Sequence, residues 1–163
     1  MTETPDDQLT TADLVDRYGE TLASIPVQLR SFGRRRRFSG PAVTVKCFED
    51  NALLKATLAD EPEPAGKVLV VDGGGSLRSA LVGDVIAGIA VERGWAGLVL
   101  HGVVRDSVAL DDLDLGIKAV GTNPRKSSKT GAGTRGGPVE IGGVWIEAGQ
   151  VLHADEDGVV VLP

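Results

Sequence analysis

With 163 residues the chain has the length of one domain and enough of it to bury a real core. Apolar residues make up 42% and charged residues 25%, ordinary values for a folded protein. A net charge of −6 counts against broad electrostatic binding of DNA, RNA or an anionic membrane. No stretch approaches the ~18 apolar residues of a membrane span. The acidic opening from Met1 to Gln8 carries no apolar leader, so a cytoplasmic location is expected. The single cysteine, Cys47, cannot close an intramolecular disulfide and reads as a reduced, buried thiol within its apolar run.

In chain order, residues 1–9 read as a frayed tail and 10–163 as one domain. Thr10 or Thr11 can cap a short helix from Asp13 to Tyr18, which Gly19 ends. Arg34 to Arg37 form a charge block before Gly40-Pro41. A nucleic-acid patch and a solvated loop both fit such a run, and charge patterning favours the loop. Ala42 to Phe48 alternates as a strand does, and Asp50 or Asn51 can cap the helix that follows, whose Leu54 and Leu58 share a face. Lys67 to Val71 is a continuous apolar run, the pattern of a strand covered on both sides. Asp72 to Gly75 then forms a glycine-rich turn. It lacks the lysine-serine ending of a phosphate loop, and Arg78 stands where a dinucleotide loop needs its last glycine. Ser76 to Val82 reads as extended.

A helix is expected from Gly83, with Val82, Val85, Ile86 and Ile89 at helical spacing, followed by a buried strand from Ala96 to Leu100. Ser107 to Leu113 suggests a brief helix and Gly116 to Val120 another strand. Asn123 to Gly137 carries Arg125, Lys126, Lys129 and Arg135 among Ser, Thr and Gly, and reads as an exposed, mobile loop. Gly142-Gly143 between Val139-Glu-Ile and Val144-Trp-Ile is a hairpin signal, because paired glycines accept the positive φ angles of a two-residue turn. Val151 to Ala154 and Gly158 to Leu162 supply the last strands. This order implies an α/β domain with mixed sheets.

The stretch from Gly83 to Asp106 carries the chemistry. In an α/β fold, helix N-termini and strand C-termini meet on one edge of the sheet. Free backbone N–H groups at 83–86 suit an anionic oxygen. Arg105 can grip a carboxylate with two donors, and Asp106 offers a hard oxygen to a divalent cation. Together they describe a site for a small keto acid. Taken singly, an Arg-Asp pair is usually a surface ion pair and a Gly-Asp before a helix usually a cap. The two histidines, His101 and His153, do not suggest a zinc site, and His101 reads as a packing residue. Lys46, Asn51 and Asp72 are weaker candidates for the same rim.

Gly83-Asp84-Val85-Ile86, followed 22 positions after Gly83 by Arg105-Asp106, resembles the family of 4-hydroxy-4-methyl-2-oxoglutarate aldolases and the regulator of ribonuclease activity A. Further likeness lies in Thr44 to Asn51, Val70 to Gly75 and Gly121 to Lys126, so that the resemblance spans residues 10 to 162. It implies a three-layer β/β/α swivelling domain, commonly assembled as a ring-shaped homotrimer with sites between subunits. It implies a lyase that releases pyruvate through its enolate, with oxaloacetate decarboxylation as a second activity. Asp106 matches the family's metal aspartate, for Mg²⁺ or Mn²⁺, and Arg105 its substrate-binding arginine. Gly83, Asp84, Val85 and Ile86 match its second substrate-binding segment, and Asp84 is the candidate for handling protons through a water. The pattern departs at Ala109, where many family aldolases place an acidic residue, and the compact chain is expected to lack the acid groups that longer terminal extensions supply in some aldolases. The alternative implied by the resemblance is a non-catalytic regulator that binds ribonuclease E. A methyltransferase of menaquinone synthesis, an older label in this family, finds no support in a nucleotide-loop motif.

Overall fold

The structure is a computed structural model and describes residues 2–163; Met1 lies outside the described residues. Helix α1 (Thr11–Tyr18) is followed by the short strands β1 (Ala23–Ser24) and β2 (Arg30–Phe32) and the long β3 (Phe38–Lys46). Then come α2 (Ala52–Asp60), β4 (Val68–Asp72), β5 (Ala80–Val82), α3 (Asp84–Glu92), β6 (Gly97–Val104), α4 (Ser107–Asp111) and β7 (Gly116–Thr122). The chain closes with β8 (Thr134–Arg135), the hairpin β9 (Val139–Ile141) and β10 (Val144–Ile146), β11 (Val151–Asp155) and β12 (Gly158–Val161). No helix among the described residues is long and apolar enough to cross a membrane.

Strand β3 belongs to two ladders and curls one into the other. Its first half, Phe38 to Pro41, pairs antiparallel with β11, and its second half, Ala42 to Lys46, runs parallel to β4. The parallel ladder continues through β6 to β7, while β12 and β1 extend the antiparallel side. Three layers result. On one face of the parallel ladder, Val43, Val45, Leu69, Val71, Leu98, Leu100 and Ile117 meet Leu54 and Leu58 of α2 and Ile86, Ala87 and Ala90 of α3. On the other, Ala42, Val68, Val70 and Val99 meet Val139, Ile141, Ile146, Leu152 and Val159 from the hairpin and the antiparallel strands. This is the expected β/β/α domain with mixed sheets.

Three expectations change in detail. Residues 42–45 are all buried instead of alternating, because β3 is covered on both faces; the Thr44 hydroxyl donates to the Gly137 carbonyl at 2.7 Å. The segment 123–137 is largely exposed but tied down. The buried Asp50 carboxylate accepts from the Thr130 amide (2.7 Å) and hydroxyl (2.6 Å) and the Gly131 amide (3.1 Å), and Ala80 N donates to the Arg125 carbonyl at 2.7 Å. Part of the segment expected to fray, Asp6 to Gln8, forms one 3-10 turn, with Asp6 bound by Arg17 (2.8 Å) and Tyr18 (2.6 Å).

Local signals explain the ends of the elements. Thr10 caps α1 in a reciprocal box with Asp13. Gly142 and Gly143 have φ of 59° and 85°, the positive values that a two-residue hairpin demands. Arg34 to Arg37 stay largely in solvent, and Arg35 pairs with Asp114 at 2.8 Å.

Candidate active site

Register brings the two halves of the motif together. In the β5–β6 pairing Val82 stands beside Val104, and the Arg105 amide donates to the Val82 carbonyl at 3.0 Å. Gly83 therefore leaves the sheet next to Arg105 and Asp106, at the C-terminal edge where ligands of open α/β sheets bind. The chain then turns sharply. Asp106 has φ 57° and ψ 40°, a left-handed conformation that aspartate tolerates better than most residues. That turn sends its carboxylate back across the edge instead of onto its own helix α4.

There Asp106 Oδ2 accepts from the Asp84 amide at 3.1 Å, at the start of α3. The space it fills exists because residue 83 is glycine: a Cβ there would stand 2.6 Å from Asp106 Oδ2 and 3.3 Å from Arg105 Cγ. The cradle is thus partly occupied by the protein's own carboxylate. The Val85 and Ile86 amides have no acceptor among the described residues, as expected for the first turn of a helix. The Asp84 side chain is exposed and lies at the positive end of α3.

Arg105 is held loosely. Its Nε lies 4.0 Å from Asp106 Oδ2 and its Nη1 3.5 Å from the Pro124 carbonyl, so most donors of the fork are free. It lines an open cleft of about 590 Å³ with Asn123, Pro124, Arg125 and Lys126. A neighbouring cleft of about 730 Å³ shares Asn123, Arg125 and Lys126 and adds Glu49, Leu77, Arg78, Ser79 and Ser128. Its one carboxylate, Glu49, is committed to Ser76 Oγ (2.5 Å) and Arg78 Nε (2.6 Å), and these partners hold it below the usual carboxylate range.

Arg105, Asp106 and the Gly83 to Ile86 segment thus meet at one edge. The weaker candidates do not join them. Lys46 and Asp72 line a separate cavity of about 490 Å³ with Cys47 and Phe48. Asn51 is buried and donates to the Leu81 carbonyl at 3.1 Å. Burial, together with Asp50 and Asp72, pushes the Cys47 thiol up to about 12, which fits an inert packing group. His101 lies against Gly75, with Nδ1 buried and unpartnered. Sequence reasoning did not place Arg125 and Lys126 in the cleft of Arg105; the signal was their position in the Gly121 to Lys126 motif.

The donor set also bears on a metal ion. No group of three or more His, Cys, Asp or Glu side chains converges among the described residues. Asp106 offers one carboxylate, half-exposed, whose Oδ1 accepts no hydrogen bond among the described residues. A single hard oxygen at an open edge suits Mg²⁺ or Mn²⁺, which keep most of their waters, and does not suit zinc.

The class defined so far is a three-layer β/β/α domain with an Arg-Asp pair facing the first turn of a helix at the sheet edge. The model of the RraA-like family, described as Aldolase/RraA, matches residues 11–161, and the chain belongs to that family. It is similar to a Geobacillus kaustophilus HTA426 structure titled S-adenosylmethionine: 2-dimethylmenaquinone methyltransferase, with 47% identity, 94% of each chain covered and a TM-score of 0.91. It is equally similar to the RNA-processing inhibitor RraA from Thermus thermophilis: 46% identity, 96% of this chain and 93% of that one covered, TM-score 0.91. Streptomyces coelicolor RraAS2, titled an unusual member of the RNase ES inhibitor RraA protein family, matches at 28% identity over 96% of this chain and 82% of its own, TM-score 0.80.

Proposed function

We propose that the protein is a divalent-metal-dependent lyase that cleaves 4-hydroxy-4-methyl-2-oxoglutarate into two pyruvates and decarboxylates oxaloacetate through the same pyruvate enolate. The observation that carries this reading is the meeting of Asp106, Arg105 and the unpaired amides of α3 at one open edge. Asp106 would hold Mg²⁺ or Mn²⁺, and the bound ion would supply Lewis-acid polarisation of the 2-oxo group.

The chain's own groups divide the remaining work. Arg105 has free donors to take the substrate's C1 carboxylate in a two-point grip, which fixes the orientation of the scissile bond. The Val85 and Ile86 amides, set by the helix, favour the negative charge that gathers on the enolate oxygen. Asp84, exposed at the same turn, takes the C4 hydroxyl proton through a water. The C3–C4 bond then breaks, C4 becomes the carbonyl of one pyruvate, and the electron pair passes to C3. Protonation of C3 releases the second pyruvate. With oxaloacetate the bond to the departing carboxylate breaks instead, and CO₂ leaves.

The test is pyruvate release by the purified chain with Mg²⁺ or Mn²⁺. Arg105→Ala is expected to lower turnover by roughly 10²–10³-fold, and Asp106→Ala to bring it near the metal-only background. Wild-type protein that releases no pyruvate above that background at any metal concentration removes the lyase reading.

Similarity to an RNA-processing inhibitor from Thermus and to a member of a Streptomyces RNase ES inhibitor family favours a second reading, a regulator that binds ribonuclease E. The net charge of −6 suits docking on basic, disordered segments. Retention of a purified ribonuclease E scaffold by immobilised protein, with and without RNA, separates the two. Under either reading the setting is cytoplasmic and the assembly a homotrimer.

A further inference from the structure

The cleft beside Arg105 carries more positive charge than one carboxylate calls for. Arg105, Arg125 and Lys126 line it, and its lining includes no acidic side chain. Arg125 and Lys126 form no ion pair with any carboxylate among the described residues, although the chain carries 23 acidic residues and 17 basic ones. Unpaired neighbouring cations in an acidic protein repel one another, and an anion placed between them relieves that cost.

The shelf that presents them is rigid. Asn123 Nδ2 donates to the Leu77 carbonyl at 2.7 Å, and Asn123 Oδ1 accepts from the Arg125 amide at 3.0 Å. Ala80 N donates to the Arg125 carbonyl, Ala80 pairs with Lys126 in a parallel bridge, and the buried Ser127 hydroxyl donates to the Ala80 carbonyl at 2.8 Å. The backbone under both cations is therefore part of the sheet edge, while their side chains stay exposed.

We propose that Arg125 and Lys126 bind the second carboxylate of the substrate and select dicarboxylic over monocarboxylic 2-oxo acids. This rests on the lyase reading, in which Arg105 holds the carboxylate next to the oxo group. A five-carbon diacid then points its far carboxylate along the cleft, towards the two unpaired cations. In 4-hydroxy-4-methyl-2-oxoglutarate that carboxylate survives the reaction, so it can be held throughout. In oxaloacetate the far carboxylate departs as CO₂, and a cation gripping it opposes the loss of its charge. The pair should therefore serve the aldol substrate and give decarboxylation no help.

The experiment compares wild type with Arg125→Met/Lys126→Met and with Arg125→Glu. Kinetics use 4-hydroxy-4-methyl-2-oxoglutarate and its monoacid counterpart 4-hydroxy-4-methyl-2-oxopentanoate, in which methyl replaces the far carboxylate. Calorimetry with 2-oxoglutarate and 2-oxopentanoate reads binding without turnover. The double variant should raise KM for the diacid roughly 10- to 100-fold with little change in kcat. It should leave the monoacid KM close to wild type, and Arg125→Glu should discriminate against the diacid further. A parallel loss for diacid and monoacid, or none for either, overturns the assignment. So does unchanged diacid preference accompanied by lost retention of single-stranded RNA, which would assign the cations to a polyanion. A wild type that binds 2-oxoglutarate but cleaves nothing sinks the lyase reading and leaves the binding comparison to decide this one.

Discussion

Gly83 shows how one missing methyl sets the geometry of the site. Its φ of −125° and ψ of −164° are extended backbone that any residue adopts, so the constraint is space and not strain. A Cβ would press on the end of the Asp106 side chain, which can swing away. Gly83→Ala should therefore fold with a stability within about 1 kcal/mol of wild type. With the carboxylate pushed off the Asp84 amide, pyruvate release should fall about 100-fold. Thermal unfolding measured beside the pyruvate assay separates the two effects, and an unchanged rate would mean that Asp106 need not sit there. Arg105 and Asp106 were legible as a pair only through their resemblance, with Gly83 to Ile86, to the family motif. The left-handed turn at Asp106 was not, because the pairing of β5 with β6, distant in sequence, imposes it.

Among the elements, the segment from Ser128 to Arg135 is anchored at both ends by strand and backbone pairing, and at Thr130 and Gly131 by one buried acid, Asp50. Burial alone would raise the Asp50 pKa; donation from the Thr130 hydroxyl and from the Thr130, Gly131 and Ala52 amides outweighs it and holds the group below the ordinary 3.8. A depressed carboxylate contributes stability that is present above its unfolded value and lost as pH falls through the folded one. Amide signals of Thr130 and Gly131 should keep their positions down to about pH 4 and shift only below 3.8. Asp50→Ala should cost about 2–3 kcal/mol and loosen the turn at Thr130 and Gly131, seen as faster amide exchange there than in β4. Exchange that rose equally in both would mean global unfolding instead. Composition made this segment look mobile, since Gly, Ser and Thr carry no record of a partner some 80 residues away.

For the whole molecule, acid is the weak direction. Asp155 links β11 to α1 by accepting from the Thr11 amide (2.8 Å) and hydroxyl (2.7 Å). Its burial raises the pKa, but these bonds, with the Asp157 amide and Arg37, bring it below 3.8. Burial lowers the His153 pKa below 6.5, only partly offset by Asp6, Asp7 and Asp155. An imidazole kept neutral by folding also takes up protons on unfolding, so stability climbs as pH rises from the folded value to 6.5. All three groups act in one sense, and the urea midpoint should rise with pH, through Asp50 and Asp155 at about pH 4 and below and through His153 up to 6.5. His153→Gln should flatten the upper part of that slope; an identical slope would show that the imidazole does not contribute. At this scale Val85, within the motif, and Val108, two residues past Asp106, are also exposed, 68% and 82% accessible. Sedimentation should give a homotrimer, and a monomer at working concentration would leave these side chains without a cover.

By itself the amino-acid order determined the period of the elements, the caps of α1, the hairpin turn at Gly142-Gly143 and the kinds of groups between Gly83 and Asp106. These rest on neighbours within a few positions, where propensity, glycine φ and residue chemistry act directly. Only the tertiary structure decided that β3 serves two ladders, that Asp106 caps α3 from outside it, and that Arg125 and Lys126 share a cleft with Arg105. Each of these depends on hydrogen bonds between segments far apart in the chain, and charge and hydropathy along a sequence do not encode which distant edge a residue will face.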